Sequence, residues 1–62
     1  MNKRQYSATE TSTNLWTVTL NGRVLGQYRA PSKADALEEY AQDAGYDGVE
    51  GLLATVPGAV IA

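Results

Sequence analysis

The most regular stretch of the chain is LWTVTLNGRVLGQYR, residues 15–29. Apolar and aromatic side chains alternate with polar ones on both sides of Asn21-Gly22, the pattern of two half-buried strands joined by a tight turn. Two registers compete. A two-residue turn pairs Leu20 with Arg23 and Val18 with Leu25. A three-residue loop with Gly22 in a bulge pairs Thr19 with Arg23 and Val18 with Val24. The second is preferred, because it gathers Trp16, Val18, Val24 and Tyr28 on one face and leaves Thr17, Thr19, Arg23 and Gln27 on the other. It also sets Gly26 opposite Trp16, where it makes room for the indole. Leu15 and Leu25 remain as apolar exceptions on the outer face.

Upstream, Tyr6 and Ala8 alternate weakly with Ser7 and Thr9, which predicts a short edge strand over Tyr6–Glu10. Residues 1–5 read as loose and Thr11–Asn14 as a connection. Downstream, Ser32 is a good N-cap, with Asp35 three positions on in a near capping box. At 100° per residue, Leu37, Tyr40, Ala41 and Ala44 share one helical face with Lys33 near its border, and Asp35, Glu38, Glu39, Gln42 and Asp43 share the opposite face. Gly45 is a left-handed stop, with Tyr46 folding back over Ala41. Asp47 caps a second short helix, Glu50 repeats the box, and Val49, Leu52 and Leu53 form its apolar stripe. Pro57-Gly58 ends it. The tail Ala59-Val60-Ile61-Ala62 fits either a last strand or a loose end.

These elements predict an α+β fold: a two- to three-stranded antiparallel sheet packed against one main helix, with a second short helix and room for a C-terminal strand. Residues 1–62 make a single small domain, loose at 1–5 and undecided at 57–62. The expected core is Trp16, Val18, Val24, Tyr28, Leu37, Tyr40, Ala41, Leu52 and Leu53.

Composition narrows the function classes. Sixty-two residues are near the lower size for unaided folding. Without cysteine or histidine, disulfides, thiolate chemistry and the usual zinc ligands are excluded. No apolar run reaches membrane-spanning length and the N-terminus does not read as a signal peptide, so the cytoplasm is the expected location. Charge changes the picture more. Residues 1–33 hold all five bases against Glu10 alone, a net +4, whereas residues 34–62 hold six acids and no base, a net −6.

For catalysis the chain offers little. General acid–base work usually recruits histidine. Glu38 and Glu39 diverge as helix neighbours, the glycines lie in no phosphate-loop spacing, and the hydroxyls lack a basic partner. No active site, metal site or cofactor is expected. The acidic stretch is more informative. Asp35, Glu38, Glu39 and Asp43, extended by Asp47 and Glu50, make either a docking surface for a larger protein with a basic surface or a solvated helix face. A solvated face normally interleaves both signs. Here Asp35–Glu39 and Glu39–Asp43 are like-charge pairs, and Asp43 lies in the last turn, where the helix dipole disfavours an anion. The alternative is nucleic-acid binding through Lys3, Arg4, Arg23, Arg29 and Lys33, with Tyr6 and Trp16 as stacking surfaces. A third reading is an assembly protein, in which oppositely charged halves and the apolar tail build a homodimer or larger oligomer.

From Trp16 to Tyr46, WTVTLNGRVLGQYRAPSKADALEEYAQDAGY, the chain resembles small uncharacterised proteins of phages and mobile elements that share a hairpin, an Ala-Pro-Ser junction and an Ala-Leu-rich helix ending at Gly-Tyr. As a compact acidic chain it is also similar in class to anti-CRISPR-type inhibitors, some of which imitate DNA with carboxylates. That resemblance implies a non-enzymatic, host-directed binding protein that inhibits or modulates a nucleic-acid-handling partner. It transfers no functional residue.

Overall fold

The computed structural model describes residues 3–62. Six elements follow in order: β1 (Arg4–Ser12), β2 (Leu15–Leu20), β3 (Arg23–Arg29), α1 (Lys33–Asp43), α2 (Val49–Thr55) and β4 (Ala59–Ile61). The class is α+β as expected. The sheet, however, has four strands, in the order β3-β2-β1-β4, and it is mixed because β4 runs parallel to β1.

The first strand departs most from the expectation. Instead of a short edge over Tyr6–Glu10, β1 spans Arg4–Ser12 and lies inside the sheet between β2 and β4. Arg4 and Gln5, expected to be loose, pair with Ala59 and Val60. Met1 and Asn2, also expected to be loose, lie outside the described residues. Thr11 and Ser12 belong to the strand, so the connection to β2 shrinks to Thr13-Asn14. Asn14 takes a left-handed φ of 57°, and its N–H donates to the Glu10 carboxylate at 2.8 Å. The tail resolves as β4, the second edge of the sheet.

The β2–β3 hairpin overturns the preferred register: neither Thr19–Arg23 nor Val18–Val24 forms, and the chain turns instead through the two-residue alternative. Asn21 and Gly22 have φ of 51° and 85°, the geometry of a two-residue turn, and Leu20 pairs with Arg23. Asn21 is held there from outside the hairpin. Its N–H donates to the Gln5 carbonyl, its Oδ1 accepts from the Gln5 N–H, and its Nδ2 donates to the Lys3 carbonyl. These contacts from β1 favour the tight turn over the three-residue loop. The bulge falls later, at Leu25, so that Val18 faces Gly26 and Trp16 faces Tyr28. Gly26 therefore makes room for the Tyr28 ring, not the indole: a Cβ there would lie 3.3 Å from that ring.

The helices cover one face of the sheet. α1 packs across β1, β2 and β3, and α2 packs on α1 and β4. The core is Tyr6, Ala8, Val18, Ala30, Ala36, Leu37, Ala41, Leu52 and Val56, with Trp16, Tyr28, Tyr40 and Tyr46 packed against it. Two expected core residues are outside. The shifted register leaves Val24 63% exposed, and α2 turns Leu53 out at 39% while burying Leu52. The uncovered face carries Ser7 and Thr9 beside Thr19 and Thr17, with Gln27 donating to Thr17.

Burial separates the two neighbouring leucines of α2. Leu52→Ala should cost about 2–5 kcal/mol, whereas Leu53→Ala should stay within about 0.5 kcal/mol of the parent. Urea unfolding midpoints of the two variants measure the difference.

Candidate functional site

The acidic helix is fixed at both ends by its own sequence. The Ser32 hydroxyl accepts the Asp35 N–H at 3.2 Å and caps the first turn. At the other end Gly45, at φ 99°, donates to the Gln42 carbonyl, and Tyr46 donates to the Ala41 carbonyl. This pair of bonds is the Schellman closure expected of a left-handed stop.

Along α1, Asp35, Glu39 and Asp43 form one exposed row at four-residue spacing, about 6 Å per step. No base stands in the last turn. Asp47 and Glu50 are also exposed, and Glu50 lies in the first turn of α2, where the helix dipole favours an anion.

Glu38 departs from the outward face predicted for it. It is half-buried, its Oε1 accepts the Val49 N–H at 3.1 Å, and its Oε2 accepts from the Gln42 amide at 3.3 Å. Glu38 thus caps α2 from the neighbouring helix, in the role predicted for Asp47. The capping position itself is Gly48, at φ 108°, and a Cβ there would collide with the Glu38 carboxylate. No local spacing signals this contact, which joins residues 11 apart.

Asp43 has a partner as well. Its Oδ2 accepts the Tyr28 hydroxyl at 2.8 Å. That donor offsets the cost of an anion at the end of α1. Burial, together with this hydrogen bond and the Asp43 charge, raises the Tyr28 hydroxyl above its ordinary pKa. Tyr40 is raised too, chiefly by burial, and its ring packs 5.9 Å from Tyr6 and 6.1 Å from Tyr28 between centroids.

The basic residues do not form one patch. Lys3, Arg4 and Arg23 lie toward the hairpin-tip end of the sheet, whereas Arg29 ends β3 about 20 Å away. Lys33 lies on α1 and donates to the main-chain oxygen of Ala62. The predicted stacking surfaces also face inward. Tyr6 is 5% exposed, and Trp16 packs on the core with its Nε1 donating to the Ala30 carbonyl at 2.9 Å. Among the described residues no cluster of three or more carboxylates could hold a metal ion, and no helix is long and apolar enough to cross a membrane. Comparison of the chain with family models, curated proteins and solved structures returns no match.

Two predictions follow from these contacts. Glu38→Ala should destabilise the protein by about 1 kcal/mol, the usual worth of a lost cap, while Glu39→Ala should leave the urea midpoint nearly unchanged. The raised tyrosines set the alkaline behaviour. The folded state holds their protons more tightly, so their contribution is fully present below the ordinary value of 10.0 and is lost as pH rises through the higher folded values. Melting temperature should therefore fall above pH 10.0, and less steeply in Tyr28→Phe.

Proposed function

We propose that this chain is a non-enzymatic binding protein of the cytoplasm that inhibits or modulates a larger nucleic-acid-handling protein, docking through the acidic layer of its helices. The observation that carries the reading is the exposed Asp35–Glu39–Asp43 row without an interleaved base. Such a row sums its field along one ridge and steers the protein onto a basic surface. Its step resembles the repeat of charge along a nucleic-acid strand, which a phosphate-binding surface is built to accept. Asp47 and Glu50 extend the surface at the start of α2. Glu38 contributes charge but spends its hydrogen bonds on the fold.

Nucleic-acid binding by this chain has less support. The bases are dispersed, and each of the five aromatic residues belongs to the core or packs on it.

The test spares the structural acids. Asp35→Lys/Glu39→Lys should fold normally by circular dichroism. Used as bait in bacterial lysate, it should capture at least about tenfold less of a basic partner than the native protein does at low salt. Moderate salt should weaken the native capture as well. Equal capture by the two forms would overturn the reading.

A further inference from the structure

The exposed large apolar residues gather at the two edges of the sheet: Val24 and Leu25 on β3, Val60 and Ile61 on β4, with Leu53 on α2. A groove lies beside the β4 edge. An open cavity of about 510 Å³ is lined by Lys33, Ala34, Leu37, Glu38, Val49 and Ile61. Glu38 and Lys33 are the groove's two charged groups; the Glu38 carboxylate is directed at the Val49 N–H and the Gln42 amide, and the Lys33 ammonium lies toward the strand end. Lys33 reaches the main-chain oxygen of Ala62, just past the end of β4. The start of β4 is cationic too, because Arg4 stands beside Ala59 in the ladder.

The ladder also shows which main-chain groups are free. The Gly58 carbonyl accepts from the Arg4 N–H, and the Ala62 N–H donates to the Tyr6 carbonyl. In a parallel ladder a residue turns its N–H and C=O to the same side, and successive residues alternate. Val60 therefore faces β1, and Ile61 presents both groups to the open edge.

We infer that β4 is a strand-addition site for an extended protein segment with an apolar centre and an acidic residue at each end. The segment pairs with the free groups of Ile61 and places an apolar side chain in the groove. Its acids meet Arg4 and Lys33, whose stations along the strand are about 10 Å apart. Charge distinguishes this occupant from a second copy. Two-fold pairing of β4 with itself brings Arg4 of one copy toward Lys33 of the other, and pairing with β3 brings Arg23 and Arg29 to a cationic edge. Like charges brought near one another oppose both arrangements.

The probe is a fluorescein-labelled peptide, Glu-Val-Ile-Glu with both ends blocked, titrated with the full chain at low salt and followed by anisotropy. A second peptide carries Lys in place of each Glu. The acid-flanked peptide should bind at least about tenfold tighter, and Arg4→Glu/Lys33→Glu should reverse the preference. In the unsubstituted protein, saturation with the acid-flanked peptide should slow amide exchange at Ile61, a readout that needs no variant. Equal binding of the two peptides, an unchanged preference in the double variant, or unchanged exchange at Ile61 would each overturn the assignment. So would a dimer by sedimentation that the peptide fails to dissociate, since the edge would then belong to a second copy.

Discussion

The Glu38 carboxylate, lying over Gly48 and accepting the Val49 N–H, is the contact on which the second half of the fold turns. A helix start leaves main-chain donors without partners, and Gly48 has no side chain to serve them. α1 supplies the acceptor from outside. Once α2 is set against α1, Leu52 and Val56 enter the core, and the chain turns at Pro57-Gly58. There the Gly58 carbonyl meets the Arg4 N–H and β4 begins its parallel run beside β1. Buried at φ 108°, Gly48 is the one residue type that can make this approach.

Similar contacts recur at three other connections. Asn21 ties the β2–β3 turn to the start of β1, Glu10 holds Asn14 in the β1–β2 turn, and the Trp16 indole holds the Ala30 carbonyl where β3 gives way to α1. Each bond joins a side chain to main chain at a connection. A domain of 62 residues with no cysteine has few other means of fixing its turns. The arrangement also keeps charge out of the interior: among the described residues no polar or charged residue is buried, and no buried side-chain polar atom lacks a partner.

These contacts also explain which parts of the fold could be read in advance. The place of the hairpin at Asn21-Gly22, the Ser32 cap and the Gly45 stop were legible because residue type and backbone conformation are linked within a few positions, whereas the length of the turn was not, because Gln5 and Lys3 decide it. The central place of β1 was not, because its weak alternation gains meaning only when β4 returns to it from the far end of the chain. The bulge at Leu25 likewise follows from a turn held by β1 rather than from the hairpin alone. The same division runs through the acidic face. Asp35 and Glu39 stay exposed on the predicted row. Glu38 and Asp43 are drawn into bonds with Val49 and Tyr28, 11 and 15 residues away in sequence.

The sorting of charge along the chain becomes a sorting by layer. Three of the four strands come first in sequence, and the sheet carries four of the described bases on or beside its strands, while the helical half carries six acids. Two exceptions show what breaking the rule requires. Glu10 sits in the sheet but serves the Asn14 turn, and Lys33 sits on α1 but reaches back to the end of β4. Because the helices cover only one face, their acids collect on that side of the molecule, and the bases remain toward the ends and edges of the sheet. A molecule divided in this way carries a directional field despite a net charge of only −2. The field attracts positive charge on the helical side. The β4 edge is flanked by Arg4 and Lys33 instead. The sequence asymmetry thus becomes an acidic helical side set against basic ends and edges of the sheet, and the Glu38 bridge holds α2 in that arrangement.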